Sequence, residues 1–131
     1  REQLKRRFSK DFVIDGSLVA ITDRDQDFME RIEKILEDNY KDVHFTIDRF
    51  VELADMKRTL FFKKVKGITG FSPNELIKLK RLNESAVLLR QGNWTVSEVS
   101  YKVGFDDPYY FSKCFKAHFN CTPSRFKQGD Y

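Results

Sequence analysis

The chain repeats itself. Ile47, Phe50, Ala54, Asp55 and Met56 fall on Val96, Val99, Val103, Gly104 and Phe105 at an offset of 49 residues. One residue is then inserted in the second copy, after which Phe61, Val65, Gly70, Ser72 and Pro73 fall on Phe111, Phe115, Asn120, Thr122 and Pro123 at an offset of 50. The register holds through apolar positions at helical spacing, a tight turn, a left-handed helix stop and the cap of the next helix. Each copy reads as a short helix, a turn and a second helix of about ten residues.

The rest of the chain is built around that duplication. Thr22 and Asp25 have the spacing of a capping box, and Phe28, Ile32, Ile35 and Leu36 follow at helical intervals, which predicts a helix over about 24–39. Thr46 caps a helix over about 47–54, and a third is expected over about 57–67 with Phe61, Val65 and Ile68 inward. Ser72-Pro73 with Glu75 opens the longest, about 73–91, whose stripe is Leu76, Leu79, Leu82, Ala86 and Leu89 and which Gly92 ends. Thr95 caps a helix over about 96–103, Asp107-Pro108 starts one over about 108–119, and Thr122-Pro123 opens a short last helix. Trp94 is expected as a buried anchor between them. Residues 1–21 read differently: a charged start, then Phe12-Val13-Ile14 and Leu18-Val19-Ala20-Ile21 around Asp15-Gly16-Ser17, an extended linker able to form a small hairpin. A start at Arg1 without Met suggests a piece of something longer.

Charge points to the partner. Residues 1–42 carry nine Lys/Arg against eleven Asp/Glu, whereas residues 43–131 carry fifteen against nine. The second part is thus net basic, which suits an anionic partner, nucleic acid before membrane. No stretch of 18 apolar residues and no secretory start occur, and two cysteines are no disulfide framework, so a reducing cytoplasm is expected. Cys114, His118 and Cys121 are spaced to face one ion but lack a fourth ligand, and Cys114 beside Phe115 reads as core, so no metal is expected. There is no glycine-rich phosphate loop and no nucleophile signature; no catalytic residue and no cofactor are expected.

Two helix-turn-helix copies joined by one long helix resemble the AraC/XylS-type DNA-binding domain. The resemblance is carried by Thr69-Gly70-Phe71-Ser72-Pro73-Asn74-Glu75, Lys80-Arg81-Leu82 to Leu88-Leu89, Val96-Ser97-Glu98-Val99, Val103-Gly104-Phe105, and Tyr110-Phe111-Ser112-Lys113 to Thr122-Pro123-Ser124. With the Phe8-Ser9-Lys10 linker and the extra helix ahead of the first motif, it extends to the effector end of hybrid two-component regulators. It implies an all-α fold of two helix-turn-helix subdomains (about 46–68 and 95–119), a linker helix (73–91), an N-terminal helix and an extended linker, so that 1–21 joins domains and 22–131 binds double-stranded DNA. It also implies transcription regulation, upstream receiver and kinase modules on the same chain, RNA polymerase as a partner, and a homodimer of the intact protein. Packing of the first helix on the first motif, or of residues 1–21 on an upstream receiver, would then control dimer formation or access. Both second helices would address major grooves on one face of the duplex, roughly 34 Å apart.

Lys57, Arg58, Lys63, Lys64 and Lys66 place five cations on the first reading helix with no acid among them. With Phe61 and Val65 inward, Thr59, Phe62, Lys63 and Lys66 are expected to lie outward. The family's base-reading positions carry over onto Thr59, Phe62 and Lys63, and the same register in the second copy gives Tyr109, Ser112 and Lys113 as base candidates. Arg58, Lys64, Lys66 and Lys116 are expected on phosphates, together with the helix N-termini behind Thr46 and Thr95. Asp106 is the discordant charge of the second copy. Two other readings use the same residues: a protein-interaction module presenting Phe62, Tyr109 and Tyr110, and a nonspecific nucleic-acid binder.

Overall fold

A computed structural model describes residues 22–129, so the linker and hairpin expected over residues 1–21 lie outside the described residues. Among the described residues the chain is all-helical: α1 Asp23–Asn39, α2 Ile47–Ala54, α3 Arg58–Thr69, α4 Pro73–Gln91, α5 Val96–Lys102, α6 Pro108–Phe119 and α7 Pro123–Lys127. The expected limits of α2, α4 and α6 are met. α3 runs two residues further than expected, because the Thr69 hydroxyl donates to the Val65 carbonyl (2.7 Å) and accepts from the Phe71 amide (3.0 Å). Gly70, at φ 81°, then stops the helix.

The helices form two units. The first holds α1, α2, α3 and the first half of α4, up to Lys80. Phe28, Met29, Ile32 and Leu36 of α1 pack with Phe50 and Ala54 of α2, Phe61, Val65 and Ile68 of α3 and Leu76 of α4. Three ring pairs knit this core: Phe50 lies 5.0 Å from Phe61 and 5.4 Å from Phe45, and Phe28 lies 6.5 Å from Phe61. Polar ties reinforce it. The Lys80 ammonium, its side chain only 10% exposed, meets the Glu37 carboxylate at 2.5 Å, and the Arg31 guanidinium donates to the Ala54 carbonyl at 2.6 Å. α1 is therefore an integral part of the first helix-turn-helix rather than an appendage.

The second unit holds the remainder of α4, α5, α6 and α7 together with Tyr40–His44. Its core is Leu82, Ala86 and Leu89, Val99 and Val103, Phe105, Phe111, Phe115 and Phe126. Aromatic rings run in series, with Phe111 5.1 Å from Phe105 and 5.8 Å from Phe115, and Phe115 5.3 Å from Phe126. Arg81 ties the Tyr40–His44 segment down, its Nε donating to the Tyr40 carbonyl and an Nη to that of Asp42, both at 2.9 Å. Trp94 is half-buried rather than buried. One face packs on this core while the Lys102 ammonium stands over the ring at 3.9 Å.

Candidate nucleic-acid interface

The second helix of each copy shows the same section. Phe61 and Phe111 are fully buried, and so are Val65 and Phe115 one turn on. These pairs fix which face of α3 and α6 looks outward. On that face the first copy exposes Thr59, Leu60, Lys63 and Lys66, and the second exposes Tyr109, Tyr110, Lys113 and Lys116. The offset of 50 puts Thr59 on Tyr109, Lys63 on Lys113 and Lys66 on Lys116, so the two surfaces agree position by position. Lys63 and Lys113 make no ion pair or side-chain hydrogen bond with other described residues, which leaves both ammonium groups to solvent.

Several expected site residues are placed differently. Phe62 is half-buried and packs against the first core beside Phe61 (6.3 Å between rings), so it does not stand outward as its helical spacing suggested. At a boundary position an apolar ring gains by leaning inward, and the outer side of this one is covered by the Arg58 guanidinium at 4.9 Å. Arg58 itself is paired with Asp48 of α2. Lys64 is half-buried with its ammonium 4.7 Å from the Phe28 ring. Lys66 is exposed, and its Nζ reaches the Gly70 carbonyl at 3.0 Å, beyond the C-terminal end of α3. Ser112 is half-buried.

The two capping threonines differ as well. The Thr46 hydroxyl accepts from the Arg49 amide (3.3 Å) and caps α2. The Thr95 hydroxyl accepts from the Glu98 amide (3.1 Å), while the Thr95 amide donates to the Glu98 carboxylate (2.9 Å). That reciprocal box holds the Glu98 carboxyl below the usual carboxylate range, through the Thr95 amide first and its hydroxyl second. An anion thus sits in the cap of α5, at the place where Arg49 stands in α2, while the acid in the first turn of α2, Asp48, is paired with Arg58.

The inserted residue of the second copy is now located. Lys57 and Asp107 are the N-caps of α3 and α6, at an offset of 50, so the extra residue is Asp106, between Phe105 and the cap. Burial disfavours the charged form of the Arg81 guanidinium, and the charges of Asp42 first and Asp106 second favour it. Sequence reasoning read Asp106 only as a repulsive charge; the guanidinium on which it acts is distant in the chain, and no local pattern announces it. Leu60, 53% exposed on the outward face of α3, was also missed, because apolar residues on such a helix are read as core by default. Among the described residues there is no group of three or more His, Cys, Asp or Glu able to hold a metal, and no helix long and apolar enough to cross a membrane.

Residues 51–129 match the model of a helix-turn-helix domain family. The chain belongs to the AraC-type helix-turn-helix family and is a DNA-binding transcription-regulator domain. It is 39% identical over 127 residues (97% of this chain, 9% of the other) to "Histidine kinase P4" of Formosa agariphila. It is 27% identical over 125 residues (95% of this chain, 41% of the other) to an HTH-type transcriptional regulator of Haemophilus influenzae. The chain thus spans less than half the length of either relative. Among solved structures it is similar to the C-terminal domain of the two-component response regulator YesN from Fusobacterium nucleatum. That match has a TM-score of 0.72 at 27% identity and covers 77% of this chain and 98% of that one.

Proposed function

We propose that the chain is the DNA-reading output module of a two-component signalling protein, with α3 and α6 as its reading helices. The observation that carries this is the duplicated exposed set. Lys63 and Lys113 stand at the same register, without an ion pair among the described residues, each one turn beyond an exposed Thr59 or Tyr109 and opposite a fully buried Phe. In this reading Lys63 and Lys113 donate to guanine O6 or N7, while Thr59 and Tyr109 touch neighbouring base edges. Lys66 and Lys116 and the α2 N-terminus at Thr46 hold phosphates. Phe62 and Ser112 shape the floor of the reading face, and Lys64 adds charge from its place over Phe28. The α5 start at Thr95 is the weakest phosphate site, because Glu98 occupies it.

The relatives named as a histidine kinase and as a response-regulator domain support the signalling context. Receiver and kinase modules on the same chain, contact with RNA polymerase, dimer formation, a cytoplasmic location and the absence of any catalysis in this part of the protein belong to the same reading. The test is duplex binding at two salt concentrations. With roughly six phosphates engaged, log affinity against log salt falls with a slope near −5. A flat dependence contradicts the reading. No binding even at low salt favours a protein-interaction surface instead, for which exposed Leu60, Tyr109 and Tyr110 are the supporting observation.

A further inference from the structure

We infer that Arg58 is a base-reading residue of the first helix-turn-helix, held for that task by Asp48 and Phe62, rather than a phosphate contact. The inference rests on α3 being a reading helix. Arg58 is the first residue of α3, and it is the N-terminal residues of such a helix that reach base edges. Its guanidinium is fixed from two sides: an Nη is bound by the Asp48 carboxylate, and the plane lies over the Phe62 ring at 4.9 Å from the ring centre. One of five N–H donors is thereby used and the others are left to an incoming ligand.

Such an arrangement suits a base and not a phosphate. A phosphate takes the same guanidinium fork, but a carboxylate beside it (Asp48 is 86% exposed) repels the strand it should hold. A guanine edge, by contrast, takes two parallel N–H donors in a fixed plane, and a side chain already held in that plane loses less freedom on binding. The carboxylate also discourages Arg58 from slipping onto a neighbouring phosphate, which favours specific over nonspecific complexes.

The second copy supplies an internal comparison. At the positions matching Asp48, Arg58 and Phe62 it has Ser97, Pro108 and Ser112, so the carboxylate, the guanidinium and the ring are missing together. The contact of carboxylate, guanidinium and ring therefore belongs to the first copy alone. The same contact explains why Phe62 is aromatic on a face that otherwise reads as polar: its ring is the platform for Arg58.

The experiment is enrichment of the 131-residue chain on a random-sequence duplex pool, for wild type, Arg58→Lys and Asp48→Asn. All three positions of the contact lie at or near the surface, and neither substitution removes core volume. Arg58→Lys keeps the charge and loses the fork, so preference at one position of the first half-site should fall about tenfold to a hundredfold with the salt slope unchanged. Asp48→Asn should relax that same position while strengthening binding to random duplex. If Arg58→Lys keeps the full preference, or Asp48→Asn strengthens all sequences alike without relaxing any position, Arg58 is a phosphate contact and the inference is overturned. A wild-type chain that enriches no site overturns the reading of α3 as well, which separates the two failures.

Discussion

At the turn of the first copy Asp55 has φ 54°, and at the turn of the second Gly104 has φ 100°. The backbone task is the same in both, a left-handed residue between two helices, yet the surroundings differ. Asp55 is exposed, and a short polar side chain tolerates that conformation at modest cost. Gly104 is buried; a Cβ there would overlap the Tyr40 carbonyl oxygen and lie 2.7 Å from Arg81 Nε. The glycine of the second copy is thus required twice, by its φ and by the Tyr40–His44 segment that crosses over it. One plan is built twice with different braces, the first copy held near its turn by Arg31 of α1, the second locked at its turn by Arg81.

The largest expected effect follows from that contrast. Gly104→Ala should destabilise the second unit by at least about 3 kcal/mol, since neither the φ nor the Tyr40 backbone can yield cheaply. Asp55→Gly and Asp55→Ala should stay within about 1 kcal/mol of wild type. Urea unfolding followed by far-UV circular dichroism measures both; equal effects at the two turns would break the comparison.

Arg31 and Arg81 give the next smaller effect, because each braces one turn. Arg81 donates two hydrogen bonds to carbonyls, and losing them in Arg81→Met should cost about 2–4 kcal/mol. Arg81→Lys should not restore them, because a point ammonium cannot span the Tyr40 and Asp42 carbonyls. Arg31 is exposed and makes a single bond to Ala54, so Arg31→Met should cost about 1 kcal/mol. Thermal unfolding of the two variants side by side decides it.

The sequence was most informative where the physics is local. Thr46, Thr95, Asp107 and Thr122 were readable as caps, Gly70 and Asn120 as left-handed stops, and the offset between copies placed every buried Phe of α3 and α6. The caps and stops depend on residues within about four positions of one another, and the repeat only compares two such local patterns. What was not readable depends on distant partners. Spacing on α3 pointed Phe62 outward, whereas its ring leans onto the core beside Phe61 and is covered by Arg58, which Asp48 holds. Nothing near Asp106 signals Arg81, and nothing in residues 40–44 signals that they pack in the second unit. The Thr95–Glu98 box is a different kind of miss, since its spacing is fully visible in the sequence.

The smallest effect sharpens the comparison of caps. Thr46→Ala and Thr95→Ala should each cost about 1 kcal/mol. Only the second should depend on acid pH. Because the Glu98 carboxyl titrates below its ordinary value in the folded chain, its contribution is present above the unfolded-state pKa of about 4.3 and is lost as pH falls through the lower folded value. Glu75 is held down the same way by the Ser72 amide and hydroxyl at the start of α4, so the clean comparison is Glu98→Gln in an otherwise unchanged chain. The variant should lose part of the stability decline below about pH 4.5, measured as unfolding midpoint against pH. An unchanged profile would show that the box contributes nothing.

The account stands on both second helices reading bases in the same register, and Lys63 and Lys113 test it most directly. Enrichment on a random duplex pool should be carried out with wild type, Lys63→Ala and Lys113→Ala. The account predicts that each variant relaxes one position by about 1–3 kcal/mol, a different one for each lysine, and leaves the remaining positions intact. If both variants instead weaken every sequence by the same factor, the lysines touch only phosphate, and the paired reading helices are contradicted.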